Sequence, residues 1–124
     1  AGEDIVLYSD GRATRAYCYV SDAIRALWLI LLGPHAGEAF NVGNDEAETS
    51  VEALARLMLE VAAVPGIGLR HAQSADADYT TDNPQRRCPD LAKLRAACDW
   101  RPEVDLRTGL ARTLAAYREQ EPAS

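Results

Sequence analysis

The stretch that most limits how this chain can fold is Ser21 to Leu32. Ser21 or Asp22 can cap a helix there, and Ala23, Ala26, Leu27, Ile30 and Leu31 fall at the spacing of one helical face. Trp28, Leu29 and Leu32 fall off that stripe, so the helix is apolar nearly all round until Gly33-Pro34 ends it. A helix of this kind needs cover on more than one side. A chain of 124 residues buries about two thirds of its unfolded surface in one modest core, which is scant cover for it. The expectation is a single unit over residues 1–124 that associates through the Ala23–Leu32 helix, with a second surface or a second copy of itself. The longest apolar run, Ala26 to Leu32, falls far short of the roughly 20 residues a membrane span needs.

Around that helix, strand and helix signals alternate. Asp4 to Tyr8 reads as a strand closed by the turn Ser9-Asp10-Gly11, and Tyr17 to Val20 as a second β-prone stretch. Ala39 to Val42 reads as another strand. Thr49 and Glu52 have capping-box spacing, and Val51, Leu54, Ala55, Met58, Val61 and Ala62 follow at helical intervals up to Pro65-Gly66. Ile67 to His71 is the next strand, which predicts a right-handed βαβ unit with Phe40-Asn41-Val42 parallel to it. Ala72 to Arg87 is polar and aperiodic. Asp90 can cap a helix carrying Leu91, Leu94 and Ala97. Asp105 can cap a last helix to about Arg118, with Leu106, Leu110, Leu114 and Tyr117 on one face. The fold class is α/β, a small lobe with a βαβ unit and about four helices.

Several chemistries lack their residues. A formal charge of −6 argues against a general nucleic-acid binder. Cys18, Cys88 and Cys98 are odd in number and form no CxxC pair, so neither a disulfide framework nor a zinc site is expected, and a reducing cytoplasmic setting follows. His35 and His71 stand alone and read as structural or surface residues. Asp76, Asp78 and Asp82 read as a solvated loop face rather than a cation site, and the polar start Ala1-Gly2-Glu3-Asp4 is not a secretory signal. No glycine-rich turn follows a strand, so no cradle for a dinucleotide pyrophosphate is expected. What remains are loop arginines: Arg12 and Arg15 before Tyr17, and Arg86 and Arg87 before Pro89. Guanidinium groups suit phosphate and carboxylate through bidentate hydrogen bonds, although loop arginines are most often simply solvated.

Five segments carry a family resemblance. Asp10-Gly11-Arg12-Ala13-Thr14-Arg15-Ala16-Tyr17-Cys18-Tyr19-Val20-Ser21-Asp22 resembles the DGxQTRxFxYVxD segment of nucleotide-sugar epimerases, dehydratases and decarboxylases. Phe40-Asn41-Val42-Gly43-Asn44 with Glu48-Thr49 is similar to their FNxGN-x-ET segment. Asp82 to Asp90 resembles the DDPxxRxPD loop of UDP-glucuronate decarboxylases, and Trp100-Arg101-Pro102 and Leu106 to Leu110 resemble LGWxP and LxxGL near the family's C-terminus. The five occur in the right order across nearly the whole chain. Two departures stand out: Ala13 replaces the usual glutamine, and Cys98-Asp99-Trp100 replaces LGW.

The resemblance to this NAD-dependent epimerase/dehydratase family, of extended short-chain dehydrogenase type, implies the C-terminal substrate-binding lobe for a UDP- or dTDP-sugar. It implies Val6, Leu7 and Tyr8 near the base or ribose, Arg15 on the diphosphate, Arg87 at the sugar end and Asn41 in support of the loops. It also implies that the NAD-binding domain lies outside these residues and is a partner of this lobe, with NAD bound by the complete enzyme and no cofactor held here. The family's YxxxK pair has no counterpart: Lys93 is the sole lysine, and Tyr8, Tyr17, Tyr19, Tyr79 and Tyr117 have no lysine four residues on. No catalytic group and no metal ligand is therefore expected in this chain, and the chain alone should neither retain NAD nor convert a nucleotide sugar. The reading stays open between a lobe of such an enzyme, a non-catalytic nucleotide-sugar-binding module and a protein-interaction module. Among the reactions, the Asp82–Asp90 loop tilts towards decarboxylation.

Overall fold

The computed structural model describes residues 3–73 and 84–120. In chain order the elements are β1 (Ile5–Leu7), β2 (Thr14–Ala16), α1 (Val20–Leu32), a 3₁₀ turn (Asp45–Ala47), β3 (Glu48–Ser50), α2 (Val51–Ala62), β4 (Leu69–His71), β5 (Arg86–Arg87), α3 (Ala92–Cys98) and α4 (Leu106–Gln120). The α/β class and the four helices stand as expected. The strands form two small sheets. In one, β1 pairs in parallel with β4, Ile5 opposite Leu69; in the other, β2 lies between antiparallel β3 and parallel β5.

The parallel partner of β4 is therefore β1, not the Phe40–Val42 segment. Ala39 to Val42 is not a strand at all. Its polar groups are taken by the neighbourhood of α3: Lys93 Nζ donates to the Ala39 carbonyl at 2.9 Å, and Asn41 Nδ2 donates to the Asp90 carbonyl at 3.2 Å. The Lys93 ammonium thus takes a backbone carbonyl that a ladder would otherwise use. The β-prone stretch near Tyr17 also shifts, because the paired residues are Thr14 to Ala16 and the chain leaves the ladder before α1.

Two helix starts differ from their sequence signals. Thr49 sits in β3, and Ser50 caps α2 by accepting the Ala53 amide at 3.1 Å; Glu52 turns outward to Arg56. Neither Ser21 nor Asp22 caps α1, whose N-cap position is Tyr19. Asp22 is instead 3% exposed, and its Oδ2 accepts the backbone amides of Glu103 (3.1 Å) and Val104 (2.9 Å). Its carbonyl accepts Trp100 Nε1 at 3.1 Å. Asp105 does cap α4, with Oδ1 accepting the Thr108 amide at 3.0 Å, and Asp90 accepts the Ala92 amide at the start of α3.

The core lies between α1 and α3. Trp100, Leu91, Leu94 and Ala26 are buried there, with Cys18, Ile30, Phe40, Val42 and Cys98 packed against them. The inward stripe of α1 is thus Asp22, Ala26 and Ile30, narrower than its hydrophobic pattern suggested. Leu27 and Leu31, expected inside, are 58% and 72% exposed, beside exposed Val20, Ile24, Trp28 and Leu32. An apolar helix face of this extent is unusual on a free surface. A second packing joins α2 and α4, tied at the rim by Arg107 to Glu60 and by Arg118 Nη2 to the Ala62 carbonyl. Among the described residues no helix is long and apolar enough to cross a membrane.

Candidate functional site

The three-stranded sheet assembles the site. Residues opposite one another in a ladder share a face, and successive residues alternate faces. Arg15 is the register partner of Thr49 on one side and of Arg87 on the other. The two arginines singled out from sequence, 72 positions apart, therefore emerge side by side on one face. Together with Ala16, Val42, Gly43, Cys88 and Pro89 they line an open cleft of 480 Å³. Gly43 is what lets its wall close up: a Cβ there would stand 2.6 Å from Pro89 Cγ.

The opposite face carries Thr14, Glu48 and Arg86. Glu48 accepts Thr14 Oγ1 at 2.6 Å, Arg86 Nε at 2.9 Å and Arg86 Nη2 at 2.8 Å. The Arg86 hydrogen bonds, then that from Thr14, hold the Glu48 carboxyl below its usual range, so it is a carboxylate at neutral pH. Adjacent arginines thus have different circumstances. Arg86 is neutralised within the sheet, whereas Arg87 meets no carboxylate among the described residues. Arg15 Nη1 donates to the Thr14 carbonyl at 2.6 Å, which lays its guanidinium along the strand. Burial, and then the Glu48 charge, push the Cys88 thiol up, and that thiol is engaged with Glu48.

Two guanidinium-bearing positions on a wall of small and apolar residues suit a polyanion with an uncharged body. The remaining sequence candidates lie elsewhere. Val6 and Leu7 belong to the other sheet, Tyr8 follows just after β1, and none of the three lines this cleft; Leu7 is buried under Gly11, while Val6 and Tyr8 are exposed. Arg12 is exposed, its amide held by Asp10 Oδ1. His35 stacks edge-on against Phe40 and faces Cys98 Sγ at 3.7 Å, and His71 Nδ1 meets the Ser9 carbonyl. The three cysteines are unpaired. Asp76, Asp78, Tyr79 and Asp82 lie outside the described residues. Among the described residues no group of His, Cys, Asp and Glu could hold a metal ion. Nor do the helix starts suit a dinucleotide: α1 opens at Tyr19 and α2 at Ser50, with no glycine at either junction to let a pyrophosphate approach.

Sequence reasoning missed Glu48, taken only as part of a segment before a helix, and the contact of Gly43 with Pro89. Glu48 meets Thr14 and Arg86 across 34 and 38 positions, so no local spacing marks it. The second joins residues 46 positions apart and left no local trace.

Comparison with known proteins supplies a frame. The profile of a family described as GDP-mannose 4,6 dehydratase matches residues 1–113. UDP-glucuronic acid decarboxylase 1 of Arabidopsis thaliana is 33% identical over 119 residues, 94% of this chain and 25% of that protein. The solved UDP-glucose 4-epimerase of Thermotoga maritima, with UDP-glucose, superposes with a TM-score of 0.79 at 26% identity, covering 95% of this chain and 36% of that one. A UDP-glucuronic acid 4-epimerase from Bacillus cereus, in complex with UDP-glucuronic acid and NAD, gives a TM-score of 0.81 at 19% identity, covering 97% and 37%, and so shares the fold. The chain spans about a quarter of the length of that decarboxylase and just over a third of those epimerase chains.

Proposed function

We propose a function from one premise: the chain belongs to the GDP-mannose 4,6-dehydratase family of NAD-dependent epimerases and dehydratases. It is the substrate-side lobe of such an enzyme, and its cleft grips a UDP- or dTDP-sugar. The observation that carries this reading is the register of β2 and β5, which sets Arg15 directly beside Arg87 on one face of the sheet. Arg15 takes the diphosphate and Arg87 the sugar end, including a C6 carboxylate where there is one. The likeness to UDP-glucuronic acid decarboxylase supports a sugar acid as the substrate. Val6 to Tyr8, at the end of β1 and just beyond it, form the border for the base or ribose.

NAD belongs to another part of the complete enzyme, since this chain's helix starts do not suit it. That cofactor supplies reversible hydride acceptance when bound. The work of these residues is to bind, orient and neutralise an anionic substrate. The exposed face of α1 is where this lobe packs against the NAD-binding part or a second copy, and the setting is the cytoplasm. On this reading the chain alone has no turnover.

Titration calorimetry on the chain joined to its NAD-binding half tests the assignment. A charge-assisted hydrogen bond is worth about 1.5–3 kcal/mol, or about one to two decades in affinity. Arg15→Ala should weaken UDP by that amount. Arg87→Ala should spare UDP and weaken UDP-glucuronate. Unchanged affinities in both variants remove the cleft from the site. Equal losses for UDP-glucose and UDP-glucuronate in Arg87→Ala keep the site and reject the carboxylate role, favouring epimerisation or dehydration.

A further inference from the structure

We propose that Glu48 is a positioning residue for the cleft, acting through Arg86 to hold the Arg87-bearing segment in register. The inference rests on the reading of Arg15 and Arg87 as ligand contacts. Strand β5 has only two residues. Its backbone is tied to β2 alone, by the short parallel ladder Thr14–Arg86 and Arg15–Arg87 and by the Thr14 amide donating to the Gln85 carbonyl at 2.8 Å. The side-chain fixture is the Glu48 carboxylate, which takes both the Nε and Nη2 hydrogens of Arg86.

The same carboxylate accepts the hydroxyl of Thr14 in β2, and Glu48 itself stands in β3 opposite Ala16. One anion therefore ties all three strands. It does so from the face opposite Arg15 and Arg87, so it holds the sheet without touching either of those side chains. Alternation does the rest: with Arg86 pinned to one face, Arg87 must emerge on the other, beside Arg15. A slip of β5 by one residue would exchange the two arginines, placing Arg86 in the cleft and Arg87 over Glu48. The bidentate geometry opposes that slip because a planar guanidinium locks both the distance and the orientation of the strand it comes from.

A double-mutant cycle in the complete enzyme, with UDP-glucuronate as the probe, tests this. Glu48→Gln keeps a partner for Thr14 but loses the ion pair. It should weaken UDP-glucuronate by about tenfold, a coupling typical of residues in one network. The loss should vanish when Arg87 is already alanine, since positioning matters only while there is a side chain to position. Arg86→Ala should behave in the same way, and Arg86→Lys should restore part of the affinity. Amide exchange at Thr14, in the ligand-free enzyme, reads the clamp alone and should speed up in Glu48→Gln. Equal losses with and without Arg87 would overturn the proposal, as would unchanged affinity or unchanged exchange at Thr14. If instead Arg87→Ala has no effect on its own while Thr14 exchange still speeds up in Glu48→Gln, the clamp stands and the ligand reading fails.

Discussion

Asp22 offers the sharpest test of how this fold is held together. Its Oδ2 is the shared acceptor for two backbone amides, those of Glu103 and Val104, and it is almost fully buried. Asp22→Ala leaves both amides without their acceptor. Each orphaned buried donor costs about 1–3 kcal/mol, so two give about 2–6. Glu103 is exposed and Val104 only half-buried, so water reaches part of the gap, and a loss of about 3 kcal/mol is expected. Asp22→Asn is a control with nearly the same shape. Because both amides converge on one oxygen, an amide oxygen in that place still accepts both, and only the charge assistance goes, about 1 kcal/mol. Urea unfolding followed by tryptophan fluorescence reads the difference: Trp100 is fully buried and donates to the Asp22 carbonyl, so it reports this corner directly. With a slope of about 1.5 kcal/mol per molar, the alanine variant should lose about 2 M in midpoint and the asparagine variant well under 1 M. Equal midpoints for the two variants would refute the account, because the effect would then belong to the charge and not to the orphaned amides.

Three further outcomes are expected. Gly43→Ala pushes a methyl group into the Pro89 ring and should destabilise by about 1–3 kcal/mol in thermal melts, with no change in net charge. The isolated chain should self-associate through α1, and Leu27→Glu with Leu31→Glu should leave a monomer in sedimentation; a monomeric parent chain at high concentration contradicts this. The Asp105 carboxyl lies below its ordinary value because the side-chain hydroxyl and the amide of Thr108 both donate to it. A lowered folded value means its contribution is complete above the unfolded value and is lost as pH falls through the folded one. The stability difference between the parent and Asp105→Asn should therefore shrink on acidification from about pH 5 to about pH 2, and a difference that grows would show the sign to be wrong.

The parts of this molecule legible in its sequence are those governed by neighbours a few positions away. The α2 stripe, the Asp105 cap, the stop at Gly33 and the strand at Ile5 were all readable from local spacing. Arg15 and Arg87 were also readable as a pair of types in loops, but not as neighbours, since their adjacency comes from strand register. The misreadings share a cause. Asp22 looked like a cap because aspartate usually is one near a helix start; its partners lie some 80 residues on, where no periodicity reaches. Phe40 to Val42 has strand composition, yet Lys93 and Asn41 divert its surroundings to α3. Leu27 and Leu31 are as apolar as a buried stripe, yet the described residues leave them exposed, so periodicity marked the stripe and not its cover.

The pairing of β1 with β4 and of β2 with β5 has a consequence for how the fold comes into being. Each ladder joins residues more than sixty positions apart, and the Asp22 corner spans farther still. Closing such large loops before any contact rewards them is slow, so folding should lag well behind helix formation. A ribosome delivering this chain would leave β1 unpaired until residues 69–71 emerge, and one edge of β2 and the Asp22 corner unpaired until residues 86–104 follow. For that interval the nascent segment is a natural client for chaperones, and a ribosome stalled before β5 would release a species with β2 open on one edge and without Leu91, Leu94 and Trp100 to seal the core.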